Sequence, residues 1–204
     1  MTFDLERLLR QVKPEKRTGA VQQRARSELV HAEQLRPGPM ALVPDTTVYI
    51  DMAAGRMPPP AFELIRSATQ LHSVVCLSEI AQGLGLSDPK AARHRAVRRH
   101  YVELARRIPA NRVLTPDDEV WLRAGVLTGL LTRSQGYQAH QRKELLADAL
   151  IYLSAAKAGL PVLTRNAADF DLLNQLHPAG RVIVYGRGGD PLGREGGAYA
   201  PPQS

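Results

Sequence analysis

Residues 145–173 read LLADALIYLSAAKAGLPVLTRNAADFDLL, and their reading decides the fold. Leu145 to Leu163 is the most apolar long stretch of the chain. Asp148, Lys157 and Pro161 interrupt it, so it does not read as a membrane span. A helical pattern ends near Gly159-Leu160-Pro161, the run Val162 to Thr164 reads as a strand, and Asn166 stands where it can cap a second helix. Asp148 breaks the apolar face of the first helix. Its neighbours at helical steps of three and four are Glu144, Leu145, Ile151 and Tyr152, and none of them is a cation. An ionised carboxylate facing a core is costly without an offsetting charge or several donors, so Asp148 requires a partner from elsewhere in the chain. A distant arginine or a helix N-terminus would serve as well as a metal ion.

From Met40 onward, short apolar runs alternate with helical stretches, the sign of βαβ units and a parallel sheet. Strands are expected at Ala41–Val43, Ser73–Leu77, Val162–Thr164 and Arg181–Tyr185, with a short one around Arg112–Leu114. The clearest helix spans Asp88–Ile108, where Val97, Tyr101, Leu104 and Ile108 recur at steps of four, three and four and form its buried stripe. Three domains of sequence follow. Residues 39–186 make the α/β domain. Residues 1–38 make a helical extension with polar helical patterns near Thr2–Val12 and Val21–Leu35, a hinge at KPEKRTG and a close at Pro37-Gly38-Pro39. Thr2 is the expected cap of the first helix. This arm either docks on its own domain or offers a surface for a partner or for self-association. Residues 187–204, rich in glycine and proline, read as a disordered tail. No repeat of fixed period is visible.

The 204 residues are 44% hydrophobic and 23% charged, with a mean hydropathy of -0.25, which excludes wholesale disorder and a collagen-like fibre. The single cysteine, Cys76, has no internal disulfide partner. The opening MTFDLERLLRQVKPEKR lacks the apolar run of a signal peptide, so a reducing, cytoplasmic setting is expected. Twenty-seven Lys and Arg against 20 Asp and Glu give a formal charge of +7, which favours a polyanionic partner. Aromatics are only 5% of the chain, so contact through phosphates is expected in place of base stacking.

Three further acids stand at telling places. Asp45 follows the run Ala41–Val43, Glu79 follows the run ending at Leu77, and Asp169 lies five residues past Thr164. Each falls after the carboxyl end of an expected strand, the edge where open α/β sheets bind ligands. If Asp148 faces that edge, four negative charges converge. A hard divalent cation with oxygen ligands would then hold them together, with its remaining sites filled by water and substrate phosphate. Thr47 and Asn166 could orient the acids or a water.

Taken in order, VPDTTVYID (43–51), VVCLSEIAQGL (74–84) and the stretch 145–173 resemble the PIN-domain nucleases, most closely the VapC-type toxins of type II toxin-antitoxin systems. The resemblance covers roughly Leu42 to Tyr185. It implies a three-layer α/β/α domain with a central parallel sheet and a Mg²⁺- or Mn²⁺-dependent endoribonuclease. It carries the catalytic and metal-binding quartet onto Asp45, Glu79, Asp148 and Asp169, with Thr47 and Asn166 supporting, and implies an antitoxin partner and a homodimer. The domain of this chain begins near residue 40, later than is usual, and Pro44 removes one backbone donor beside Asp45.

Lys90, Arg93, Arg95, Arg98, Arg99, Arg106 and Arg107 crowd the helix of the apolar stripe. A solvated face explains such a run, and so does an RNA-binding flank that sets position through phosphates. Arg95, Arg98 and Arg99, with Arg142 and Lys143 ahead of Asp148, are the RNA-binding candidates, and the same surface could receive an antitoxin peptide. A haloacid-dehalogenase phosphotransferase would need a second aspartate at position 47, which is threonine. A response-regulator receiver would need an early pair of neighbouring acids and a lysine after the strand at 162–164, where arginine stands. A PIN-like module without catalysis, serving RNA binding or scaffolding, would gain nothing from four converging acids. An RNA-processing nuclease that is not a toxin remains the alternative within the same chemistry.

Overall fold

Four short parallel strands carry the architecture of the computed structural model, which describes residues 4–91 and 93–186. They are β1 (Ala41–Pro44), β2 (Thr69–Gln70), β5 (Pro161–Thr164) and β6 (Arg181–Val184), in the order β2-β1-β5-β6. The register sets Val43 against Val162 and Thr164 against Val184. Alternate side chains of a strand leave opposite faces of its sheet. Leu42, Leu163 and Ile183 join one core with Val48 of α2 (Thr46–Ala53) and Ala61, Leu64 and Ile65 of α3 (Pro59–Ser67). Val43 and Val162 join the other, larger core. It is built with α4 (Val74–Leu86), α6 (Asp118–Gln135), α7 (Ala139–Lys157) and α8 (Ala167–Leu176). Both faces are covered, so the central strands β1 and β5 are apolar almost throughout while β2 at the edge is polar, and the expected three-layer α/β/α fold with a parallel sheet is present.

The remaining strands, β3 (His72–Ser73) and β4 (Val113–Leu114), pair with each other in parallel. The expected strand Ser73–Leu77 is therefore corrected: it ends at Ser73, and from Val74 the chain is helical. Ser73 is the reason, since its Oγ accepts from the Val75 amide at 3.2 Å and caps α4. A short apolar run fits either period, and here the cap decides. The helix expected over Asp88–Ile108 is α5 (His94–Arg107), with Tyr101 buried and Val97 and Leu104 packed on the larger core. Pro44 costs the sheet little, because the amide of Asp45 still donates to the Leu163 carbonyl at 3.0 Å.

In the N-terminal arm, α1 (Leu5–Val12) forms as expected, but its cap is Asp4, whose Oδ1 accepts from the Arg7 amide at 2.7 Å. Residues 21–35 are not an α-helix. They run extended with 3-10 turns at Arg26–Glu28 and Ala32–Gln34. Their hydrogen bonds go to the domain instead: Val30 accepts from the Val184 amide at 2.8 Å, and Arg24 reaches Asp171. Leu8, Val12, Leu29 and Ala32 are buried, so the described part of the arm docks on its own domain. The segment expected to be a disordered tail lies outside the described residues. Among the described residues no helix is long and apolar enough to cross a membrane.

Candidate active site

Asp45 leaves the end of β1 and caps α2. Its Oδ2 accepts from Thr47 Oγ1 at 2.7 Å and from Thr164 Oγ1 at 2.8 Å, so one hydroxyl from the first turn of α2 and one from the end of β5 hold one buried carboxylate. Thr46, the first residue of α2, donates from Oγ1 to Glu79 Oε2 at 2.5 Å. Glu79 lies on α4 rather than directly after a strand, two residues beyond Leu77, where the sequence placed a strand end, and six beyond Ser73, where β3 ends. Asp148 sits half-buried on α7, and Asn166, the cap of α8, donates from Nδ2 to Asp148 Oδ2 at 2.9 Å and to Asp169 Oδ2 at 3.1 Å. Asp169 receives the hydroxyl of Tyr137 on its other oxygen. Asp45, Glu79, Asp148 and Asp169 are thus brought to one region from four segments of chain, and Thr47 and Asn166 donate hydrogen bonds to three of them.

The electrostatics record that convergence. Burial raises the Asp148 carboxyl well above the ordinary carboxylate range, and Asp45, Asp169, Glu79 and Glu144 push it further in the same direction. Glu79 is pushed up to about 7 by burial and by the charges of Asp45 and Glu144, against the lowering bond from Thr46. Asp45 is raised by burial although four hydrogen bonds oppose the shift. The Cys76 thiol, buried behind Asp45, is raised by burial and by three of the same acids. Negative charge has accumulated here with hydroxyls and an amide as its nearest support.

Among the described residues no three His, Cys, Asp or Glu side chains close around one point as a ready-made metal cage. The donors are nevertheless all hard oxygens, and the raised carboxyls mark a place where a cation would relieve repulsion. Mg²⁺ keeps several waters and binds through one or two carboxylates, so a loosely spaced acidic set suits it where a tight cage would suit zinc. Asp45, Glu79, Asp148 and Asp169 are the residues that could hold such an ion.

A cavity of about 800 Å³ is lined by Glu79, alone of the four acids, together with Thr46 and Glu144, His94 and Tyr101 of α5 and Lys143 of α7. Arg95, Arg98 and Arg99 are exposed on α5, and Arg142 and Lys143 are exposed at the start of α7. Lys143 is the cation of that set which lines the cavity with Glu79; the others project to solvent.

Four participants were missed in the sequence. Thr46 and Thr164 adjoin the strand ends already singled out, and a search for hydroxyls beside each acid would have found them. Glu144 was noted only as a helical neighbour of Asp148. Tyr137 carries no local signal, because it is placed by the turn at Gly136, with φ of 68°, between α6 and α7.

No family model matches the chain, and no curated protein matches it. Among solved structures, it is similar to that of VapBC2 from Rickettsia felis bound to a DNA fragment from their promoter. The identity is 15%, covering 72% of this chain and all of the other, with a TM-score of 0.48. The toxin-antitoxin structure VapBC-5 from Mycobacterium tuberculosis is 24% identical over 71% of this chain and 97% of its own, with a TM-score of 0.45. FitAB bound to the IR36 DNA fragment is 18% identical over 71% and 94%, also at 0.45. The strand order β2-β1-β5-β6, the helical layers on both sheet faces and the acids at the sheet edge agree with the PIN-like fold expected from the sequence.

Proposed function

We propose that the protein is a metal-dependent endoribonuclease that hydrolyses RNA phosphodiester bonds with Mg²⁺ or Mn²⁺. The observation that carries the proposal is the coupling of Asp45, Glu79, Asp148 and Asp169 at the carboxyl edge of β1 and β5. Four like charges lower the stability of a fold unless a function repays them. When bound, such an ion supplies a water of lowered pKa and neutralises charge on the phosphodiester. The chain's own part is orientation: Thr47 and Thr164 hold Asp45, Thr46 holds Glu79, and Asn166 holds Asp148 and Asp169 in one frame. The exposed cations of α5 and the start of α7 supply phosphate contacts that draw the RNA to an acidic site.

The sequence resemblance extends the proposal to a toxin in a toxin-antitoxin pair, acting as a homodimer in the cytoplasm and restrained by a protein antitoxin. Cleavage of single-stranded or loop RNA in Mg²⁺ or Mn²⁺, abolished by EDTA, tests the chemistry. Asp148→Asn purified in parallel separates it from contaminating nuclease, and equal cleavage by both proteins would overturn the assignment. Growth arrest on expression of the wild type but not of Asp148→Asn tests the toxin role.

A further inference from the structure

Asp51 on α2 is buried, yet it anchors two arginines that remain largely in solvent. Its Oδ2 lies 3.0 Å from Arg165 Nε and accepts the Tyr185 hydroxyl at 2.9 Å, while its Oδ1 lies 3.4 Å from Arg56 Nη2. The side chains of Arg165 and Arg56 are 40% and 53% exposed. One carboxylate balances one guanidinium, so the cluster is left with a surplus positive charge. Each guanidinium carries five N–H donors. Among the described residues neither Arg56 nor Arg165 has another side-chain acceptor.

The place of the pair gives the surplus a use. Arg165 stands between Thr164, which donates to Asp45, and Asn166, which donates to Asp148 and Asp169, and its own amide donates to Thr47 Oγ1 at 3.1 Å. Arg56 follows the end of α2 and is tied back by its amide to the Asp51 carbonyl at 2.8 Å. The two cations therefore belong to the segments that carry Asp45 and Asp169, whereas the cations of α5 and α7 belong to those flanking Glu79 and Asp148. We infer that Arg56 and Arg165, held by Asp51, form a second phosphate-binding site for the backbone of single-stranded RNA beside the acids. The inference rests on the nuclease reading above. Arginine's planar fork suits phosphate oxygens, and anchoring on a buried carboxylate lowers the entropy lost when a phosphate is bound.

The test is binding of a labelled single-stranded RNA oligonucleotide of mixed sequence in EDTA, where cleavage is absent, across a salt series. Wild type, Arg56→Gln, Arg165→Gln and the triple variant Arg95→Glu, Arg98→Glu, Arg99→Glu are compared, with melting temperatures recorded in parallel. Each glutamine variant should bind several-fold more weakly whatever the sequence, and its log-log salt slope should be shallower by about 0.7 for the lost contact. Unchanged affinity and slope in Arg56→Gln, whose ion contact is long and exposed, would overturn the inference even if Arg165→Gln fails to fold. Wild type that binds RNA and responds to the α5 variant but to neither glutamine variant would overturn this site alone. Wild type that binds no RNA would overturn the nuclease reading and this site with it.

Discussion

Asn166 Nδ2 lies 2.9 Å from Asp148 Oδ2, across 18 residues of sequence, and the same amide reaches Asp169. One side chain thus serves two acids from different helices, and it does so from the cap of the helix that carries one of them. The distance between Asp148 and Asp169 is governed by this amide, so the site's response to change centres on it.

Asp148→Asn keeps the side-chain shape and leaves a carbonyl to accept the Asn166 amide. Nuclease activity should fall by more than about 100-fold, the upper end for residues that merely support a ligand. In EDTA the variant should melt above wild type, because it removes a carboxyl whose ionisation is opposed by burial and by Asp45, Asp169, Glu79 and Glu144. Added Mn²⁺ should raise its melting temperature less than that of wild type. An equal metal response in the two proteins would remove Asp148 from the metal site.

The raised Glu79 carboxyl sets a pH dependence. A carboxyl whose folded pKa lies above its unfolded value of 4.5 is protonated in the fold, but not in the unfolded chain, between that value and about 7. Its cost to stability is therefore small at acid pH, grows as pH rises from about 4.5 to about 7, and levels off above. Asp45 and Asp148 shift in the same direction. Metal-free wild type should lose melting temperature between about pH 5 and pH 8, and Glu79→Gln should flatten that decline. Metal affinity should run the opposite way, strengthening as the pH rises past 7. A metal-free protein that gained stability over that interval would contradict the arrangement.

Tyr137→Phe removes one hydroxyl from Asp169 and leaves the ring in place. Asp169 keeps the Asn166 amide, so the fold should survive while the orientation of the carboxylate loosens. Metal affinity measured by calorimetry should weaken about 10–100-fold, as for other groups that orient a ligand from behind. Unaltered affinity would make the tyrosine a packing residue.

Arg24→Ala tests the arm. Arg24 donates from Nε to Asp171 Oδ1 at 2.6 Å and from Nη2 to Asn174, and the Asp171 side chain is only 2% exposed. Leaving that carboxylate without its ion partner should cost about 3 kcal/mol, the low end for a buried pair because Arg24 itself is partly exposed. For a domain of this size that is about 6–12 °C in melting temperature. A shift under a degree would mean that the arm is held by its other contacts, the buried Leu8, Val12, Leu29 and Ala32 and backbone bonds such as Val30 to Val184.

Asp45, Asp148 and Asp169 were legible in the sequence because each stands out from a local pattern: an acid just after an apolar run, an acid inside an apolar face, and an acid five residues past the strand run that ends at Thr164. Such patterns report neighbours two to four residues away, and those distances are set by the strand and the helix themselves. Glu79 was found on a mistaken strand end, which the cap at Ser73 moved into a helix. The strand β2 offered no apolar run at all. It exists because the Thr69 and Leu71 amides donate to the Met40 and Leu42 carbonyls.

By itself the sequence determined the alternation of strands and helices, the parallel sheet and the family of acids, since all of these follow from periodicity and from chain breaks at glycine and proline. Only the tertiary structure decided which hydroxyl or amide serves which acid, that residues 21–35 abandon a helical pattern, and that Asp51 meets Tyr185 across 134 residues. Those choices depend on closing long stretches of chain, where a hydrogen bond to a distant partner outweighs a weak local propensity. A residue such as Tyr137 cannot announce that partner to its neighbours in sequence.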